Sequence, residues 1–183
     1  LLASQGRNLA AKESYEKAEG LYKNYRWGYQ VPADLYINKA HLLLKLKLYK
    51  EAEVSINNYL ERVPESEPGH FVLANIFSAI GKQDKALREY SLIVKTPKLK
   101  GEAHVNRALI FIKKKDFNLA LEELHLAITI SPNLIIAHHN LGNLLIQTNG
   151  DPIEARRHLE KALKLSTNQE VTSRIKHTLN SLP

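Results

Sequence analysis

Two registers of small residues run through this chain at nearly constant spacing, and they decide what it can fold into. Ala52, Ala86 and Ala120 stand 34 residues apart, and Ala155 follows after 35. Ala40, Ala74, Ala108 and Gly142 run in step with them, also 34 apart, twelve residues ahead in the first three cases. Helices that cross closely need a tiny side chain at the crossing, so two such registers describe a repeating unit of two helices, A and B. One hairpin of this size cannot bury its own apolar face; neighbours must stack to make a continuous core. The repeat therefore favours a solenoid over a single compact core for the 183 residues. Arrays of this kind are usually binding surfaces.

Full units begin at Ala33, Glu67, Gly101 and Ile135, giving repeats over 33–66, 67–100, 101–134 and 135–169. In the first, Tyr36, Ala40 and Leu43 share one face of helix A, and Ala52, Ile56, Tyr59 and Leu60 form the stripe of helix B before Pro64. The second places Leu73, Ala74 and Phe77 on helix A, turns at Gly81, and carries Ala86, Tyr90 and Ile93 to a stop at Pro97. The third has Ala108 and Phe111, then Ala120, Leu124 and Ala127 before Pro132. The fourth has Leu141, Gly142 and Leu145, a turn one residue longer, and Asp151 as N-cap with Pro152 at the first helical position. Val171, Ile175, Leu179 and Leu182 predict a half-polar capping helix over 170–183. At the front, Leu9, Ala11, Tyr15 and Ala18 read as helix B of a partial repeat over 1–24, followed by an aromatic-rich connection at 25–32.

Composition excludes several classes. There is no cysteine, hence no disulfide or thiolate metal site; cytoplasm and periplasm fit that absence equally. No segment approaches the ~18 consecutive apolar residues of a membrane span. The net charge of +7 favours an acidic partner over a basic one. Leu1 is not a methionine, and Leu1 and Leu2 sit in register near the end of a helix whose beginning is absent, so the chain reads as a fragment or a processed form.

With these residues in place, the chain resembles the tetratricopeptide repeat family. That family's 34-residue motif favours a bulky residue at position 4, Leu at 7, Gly or Ala at 8, an aromatic at 11, Gly at 15, Ala at 20 and Pro at 32. Position 8 is Ala40, Ala74, Ala108 and Gly142, and position 20 is Ala52, Ala86, Ala120 and Ala155; Pro64 and Pro132 fall at 32. The run His139-Asn140-Leu141-Gly142-Asn143-Leu144 matches closely. Departures are histidine at position 4 in three units (His70, His104, His138) and Lys39 and Arg107 at position 7, whose long stems can lie on apolar surface with the charge in water. The resemblance implies an all-α, right-handed superhelical solenoid of antiparallel helix pairs, with about four full repeats, a partial N-terminal repeat and a C-terminal capping helix.

It also implies a site. The A helices would line a concave groove, with positions 2, 5, 6, 9, 12 and 13 facing it. Those positions hold Asn38 and His41; Phe71, Val72 and Asn75; Val105, Asn106, Leu109 and Ile112; and Ile136, His139, Asn140, Asn143 and Ile146. Asparagines step along this groove, and an amide that both donates and accepts can pair with a partner's backbone whatever its sequence. An apolar floor from Phe71 to Ile136 would take side chains. A subclass of the family grips a chaperone's C-terminal carboxylate with cationic groove residues. Here those places hold Phe71, Ile136 and Asn140, so no carboxylate clamp is expected.

Tyr25, Trp27 and Tyr29 leave two readings open: a contact patch at the groove entrance, or packing against the neighbouring helix. The stacked His70, His104 and His138 read as structural, since His138 and His139 point about 100° apart and cannot share an ion. No phosphate loop, nucleophile elbow or paired-carboxylate pattern is present. Lys113-Lys114-Lys115 reads as a solvated helix end, and the uniform base-reading positions of an RNA-binding array are missing. The expectation is a non-enzymatic protein-binding module without cofactor or metal, holding an extended or helical segment of a partner. A recruiting domain of a larger enzyme and an RNA-binding array stand as alternatives. Self-association through an uncapped N-terminal end is a further expectation.

Overall fold

In the computed structural model, residues 2–24 and 30–180 are described. They form ten helices: α1 (Leu2–Asn24), α2 (Ala33–Lys45), α3 (Tyr49–Leu60), α4 (Glu67–Ala79), α5 (Gln83–Ser91), α6 (Pro97–Lys114), α7 (Phe117–Ile130), α8 (Ile135–Gln147), α9 (Pro152–Leu165) and α10 (Gln169–Asn180). Among the described residues there is no strand. The fold is an all-α array of helix pairs, α2 with α3, α4 with α5, α6 with α7 and α8 with α9. Two compact units divide between Leu92 and Ile93.

The turn inside each pair explains why the pairs are tight. Lys47, Gly81, Lys115 and Asn149, all at position 15 of their repeats, have positive φ of 61°, 79°, 63° and 52°. The next residue's N–H reaches back to a carbonyl five residues earlier: Leu48 to Leu43, Lys82 to Phe77, Asp116 to Phe111 and Gly150 to Leu145, at 2.8–2.9 Å. This is the left-handed helix ending that satisfies the last carbonyls of helix A and reverses the chain at once.

In the first unit, Ala40, Ala52, Ala74 and Ala86 are fully buried beside Leu43, Ile56 and Ile76. Each large aliphatic side chain so buried contributes roughly 1.5–3 kcal/mol. Ser66 caps α4, its Oγ accepting from the Gly69 N–H at 3.2 Å and meeting Tyr59 Oη at 2.9 Å. Helix α1 lies against α2, with Ala11, Tyr15 and Ala18 half-buried. Lys12 pairs with Glu51 at 2.8 Å and Glu19 with Lys39 at 2.7 Å, which gives the position-7 lysine its partner. Leu9 and Leu21 remain exposed.

The second unit repeats the plan. Ala108, Ala120, Leu124, Ala127, Leu141 and Ala155 form one core, and Leu159, Ala162 and Ile175 another that joins α10 to α9. Gly142 is required where α8 crosses α9: a Cβ there would meet Leu159 Cγ at 2.7 Å and the Ala155 carbonyl at 3.1 Å. Asp151 caps α9 through the Ile153 N–H at 2.9 Å, with Pro152 in the first turn, as the sequence predicts. Asn168 caps α10 with Oδ1 on the Glu170 and Val171 N–H groups. Leu182, the last residue of the expected capping stripe, lies outside the described residues.

One boundary differs from the reading of the sequence. Helix α5 ends at Ser91, and Pro97 opens α6 instead of ending α5, so helix A of the third repeat begins four residues before Gly101. A proline N–H is absent anyway, which suits the first turn of a helix as well as it suits a stop. Ile93 is buried even so, in the connection outside the helix.

Candidate functional site

The expected surface residues sit on the A helices, and the two units are taken separately. In the first, α2 presents Asn38 and His41 to solvent, His41 Nδ1 donating to the Ile37 carbonyl of its own helix at 3.1 Å. On α4, Phe71 is half-buried, its ring edge-on to Tyr90 with centroids 5.9 Å apart. Asn75 Oδ1 accepts from Tyr90 Oη at 2.5 Å, so this amide's oxygen ties helix A to helix B. Val72 is a correction: at 1% exposure it belongs to the core and no partner touches it.

In the second unit, Leu109 on α6 and Ile136 on α8 are exposed by 37% and 46%, and these two helices are neighbours. Asn106, Ile112, His139, Asn140, Asn143 and Ile146 are half-buried beside them. Val105 is the second correction, being 1% exposed and packed with Ala108, Ala137 and Leu141. Phe111, Ile112 and Ile146 also lean on that core.

The amides differ in what they have left to offer. Asn143 Nδ2 donates to His139 Nε2 at 3.1 Å, which places the proton of His139 on Nδ1. Burial lowers the His139 pKa below the ordinary imidazole value, and the charge of Arg174 lowers it further, so the ring is neutral near pH 7. Asn140 Nδ2 is buried with no hydrogen-bond partner. An uncompensated buried donor of this kind costs on the order of 1–3 kcal/mol, and it singles this amide out from the others.

The histidines at position 4 pair across their own hairpins, His70 and His104 with residues at position 23. His70 Nδ1 meets Glu89 Oε2 at 2.8 Å, and His104 Nδ1 meets Glu123 Oε2 at 2.7 Å. In the fourth repeat His138 meets His158 instead. Arg107 Nη2 adds a second contact to Glu123 at 2.8 Å, which answers for the cation at position 7. Reading along the sequence misses these carboxylates because they lie 19 residues away, on the other helix of the hairpin. A recurrent position-4/position-23 pairing is the available signal. Among the described residues no group of three or more His, Asp or Glu side chains gathers as a metal site, and no helix is long and apolar enough to cross a membrane. Tyr25, Trp27 and Tyr29 lie outside the described residues.

Comparison with known proteins places this geometry. A profile described as tetratricopeptide repeat matches residues 33–65, 101–134 and 135–169, together more than half of the chain. No curated protein matches the sequence. Among solved structures, TTC0263, a thermophilic repeat protein of Thermus thermophilus, is 20% identical with a TM-score of 0.71, covering 98% of this chain and 94% of that one. Yeast Tom70 is 19% identical with a TM-score of 0.75, over 97% of this chain and 37% of its own. PilF of Pseudomonas aeruginosa is 24% identical with a TM-score of 0.67, over 81% of this chain and 69% of its own. At these identities the likeness concerns the fold.

Proposed function

The chain belongs to the tetratricopeptide repeat family, and from that premise we propose that it is a non-enzymatic protein-interaction module. Its fold is one that serves as a scaffold for protein partners. The binding surface on this reading is the A-helix face of each unit, and the occupant is an extended or helical segment of another protein.

The observation that supports this best is the exposed pair Leu109 and Ile136 on adjacent A helices, flanked by the amides of Asn106 and Asn140. Aliphatic side chains left in water beside groups that both donate and accept suit a peptide, which brings apolar side chains and a polar backbone together. The net charge of +7 favours an acidic segment through long-range attraction.

The test is affinity capture from a lysate of the source organism with wild type and with a variant carrying His41→Glu and Leu109→Glu. Both positions are exposed, so circular dichroism should report an unchanged fold. A protein held by the wild type and lost by the variant supports the A-helix faces as the site. Identical captures by both would overturn that assignment.

A further inference from the structure

A cavity of about 480 Å³ opens in the second unit, between α8 and the segment that turns from α9 into α10. Its apolar wall is Ile135, Ile136 and Val171. Its polar residues include His139, Asn140 and Arg174, and no carboxylate lines it. Its size lies in the range of sites that enclose a small ligand or a few residues of a peptide.

Three of the lining residues, Asn140, His139 and Arg174, carry N–H donors. Asn140 Nδ2 is buried and unpaired. His139 keeps its proton on Nδ1 because Nε2 accepts from Asn143. Arg174 is 69% exposed; its Nη2 meets Glu170 Oε1 at 2.6 Å, which leaves further guanidinium N–H groups for an acceptor. The unit around the cavity carries 13 basic against 8 acidic residues between 93 and 183, so it holds +5 of the chain's +7. A site with surplus donors, a cation and a positive surrounding field is complementary to an anion. The aliphatic wall excludes a free inorganic anion as the best fit and asks for a carbon chain beside the charge.

We infer that this cavity recognises an aliphatic residue followed by a glutamate or aspartate within a partner protein, the aliphatic side chain lying on Ile136 and Val171 and the carboxylate accepting from Arg174 and from Asn140, whose buried Nδ2 turns out of the wall to meet it. The inference rests on the interaction-module reading and gives it a subsite with a sequence preference. Arg174 exchanges part of its pairing with Glu170 for the incoming carboxylate, so Glu170 acts as an internal competitor.

The test uses capped dipeptides and needs no natural partner. Acetyl-Leu-Glu-amide, acetyl-Leu-Gln-amide and acetyl-leucine are titrated into the ¹⁵N-labelled full chain, followed by amide chemical shifts. The first should give saturable shifts across 135–140 and 166–174, and the glutamine analogue should bind roughly tenfold more weakly, the worth of one hydrogen bond to a charged group. Asn140→Ala and Arg174→Gln should each weaken binding by a similar factor with the remaining spectrum unchanged. Glu170→Gln should tighten it, an effect that a purely structural role for Arg174 does not produce. Equal binding of the glutamine analogue would overturn the proposal, since the slot would then read apolar shape alone. Binding of acetyl-leucine without acetyl-Leu-Glu-amide would overturn it in favour of a chain terminus, and absence of saturable shifts would overturn it outright. Should the dipeptide fail while lysate capture still depends on Leu109, the cavity assignment falls and the interaction module stands; the reverse pattern leaves the cavity and removes the A-helix face.

Discussion

His138 and His158 meet nitrogen to nitrogen, Nδ1 to Nδ1 at 2.8 Å, with their rings stacked 5.1 Å apart and both side chains buried between α8 and α9. One proton fits between two such atoms. His138 Nε2 lies 3.0 Å from the Pro132 carbonyl oxygen, which only accepts, so Nε2 carries the proton and Nδ1 accepts. His158 therefore donates from Nδ1 and leaves Nε2 as an acceptor, 3.4 Å from Arg157 Nη2. The proton between the two rings is then carried by His158 Nδ1. His70 and His104, at the same repeat position, face carboxylates instead.

Acid should destabilise the second unit through His158. Burial pushes the His158 pKa down, His138 and Arg157 push it further, and Glu154 at 3.7 Å opposes them only in part; His125 also lowers it. In the unfolded chain a histidine takes its proton near pH 6.5, whereas folded His158 takes it at lower pH. Between those values the unfolded state binds more protons, so stability falls as pH falls through about 6.5 and levels off below the folded pKa. Urea melts across this range should show a shallower decline in His158→Gln. Part of the slope should remain, because His139 is shifted in the same direction.

Glu123 gathers two donors, His104 Nδ1 at 2.7 Å and Arg107 Nη2 at 2.8 Å, and is itself 7% exposed. Arg107 Nε is already buried without a partner. Glu123→Ala would leave a partly buried guanidinium uncompensated, at a cost of about 3 kcal/mol. Glu89→Ala removes a single, more exposed partner of His70 and should cost about 1 kcal/mol. Denaturant midpoints of the two variants, compared at neutral pH, check the ranking.

These pairs mark the limit of what the sequence discloses. Helices α2, α4 and α8 begin at Ala33, Glu67 and Ile135, the residues from which the alanine registers count their repeats, and those registers are legible because a close crossing admits only a small side chain. The contacts of His104 with Glu123 depend on the hairpin closing, and no helical period links residues 19 apart. The motif's average helix rotation assigns Val72 and Val105 to the surface, and a turn of one residue, about 100°, carries a side chain from groove to core. The α9–α10 wall of the cavity is not legible either, since Ser166 and Asn168 fall at the end of the fourth repeat and Arg174 beyond it, away from the small-residue registers.

Position 15 offers a stabilising change. Lys115 holds φ at 63°, a left-handed conformation that crowds its Cβ and costs roughly 1–2 kcal/mol for an L-residue. Gly81 occupies the same place at φ 79° without that cost. Lys115→Gly should therefore raise stability by about 0.5–1 kcal/mol, the relief being offset partly by the greater freedom of glycine in the unfolded chain. A thermal melt in which the variant unfolds below wild type would show that the turn stores no such strain.

Adding one methyl group should act in opposite directions at two glycines. At Gly142 a Cβ would press on Leu159 Cγ at 2.7 Å and on the Ala155 carbonyl at 3.1 Å, and a backbone oxygen cannot swing aside as a side-chain tip can. Overpacking of this kind costs roughly 1–3 kcal/mol, against about 1 kcal/mol gained from alanine's helix propensity. Gly20 lies within α1 with nothing inside 4 Å of the new Cβ, so only the propensity gain applies. Gly142→Ala should lower the denaturant midpoint of the second unit, while Gly20→Ala should slow amide exchange in α1. Equal midpoints for Gly142→Ala and wild type would mean that α8 and α9 can separate at their crossing without loss, which the burial of Leu159 and Ala155 speaks against.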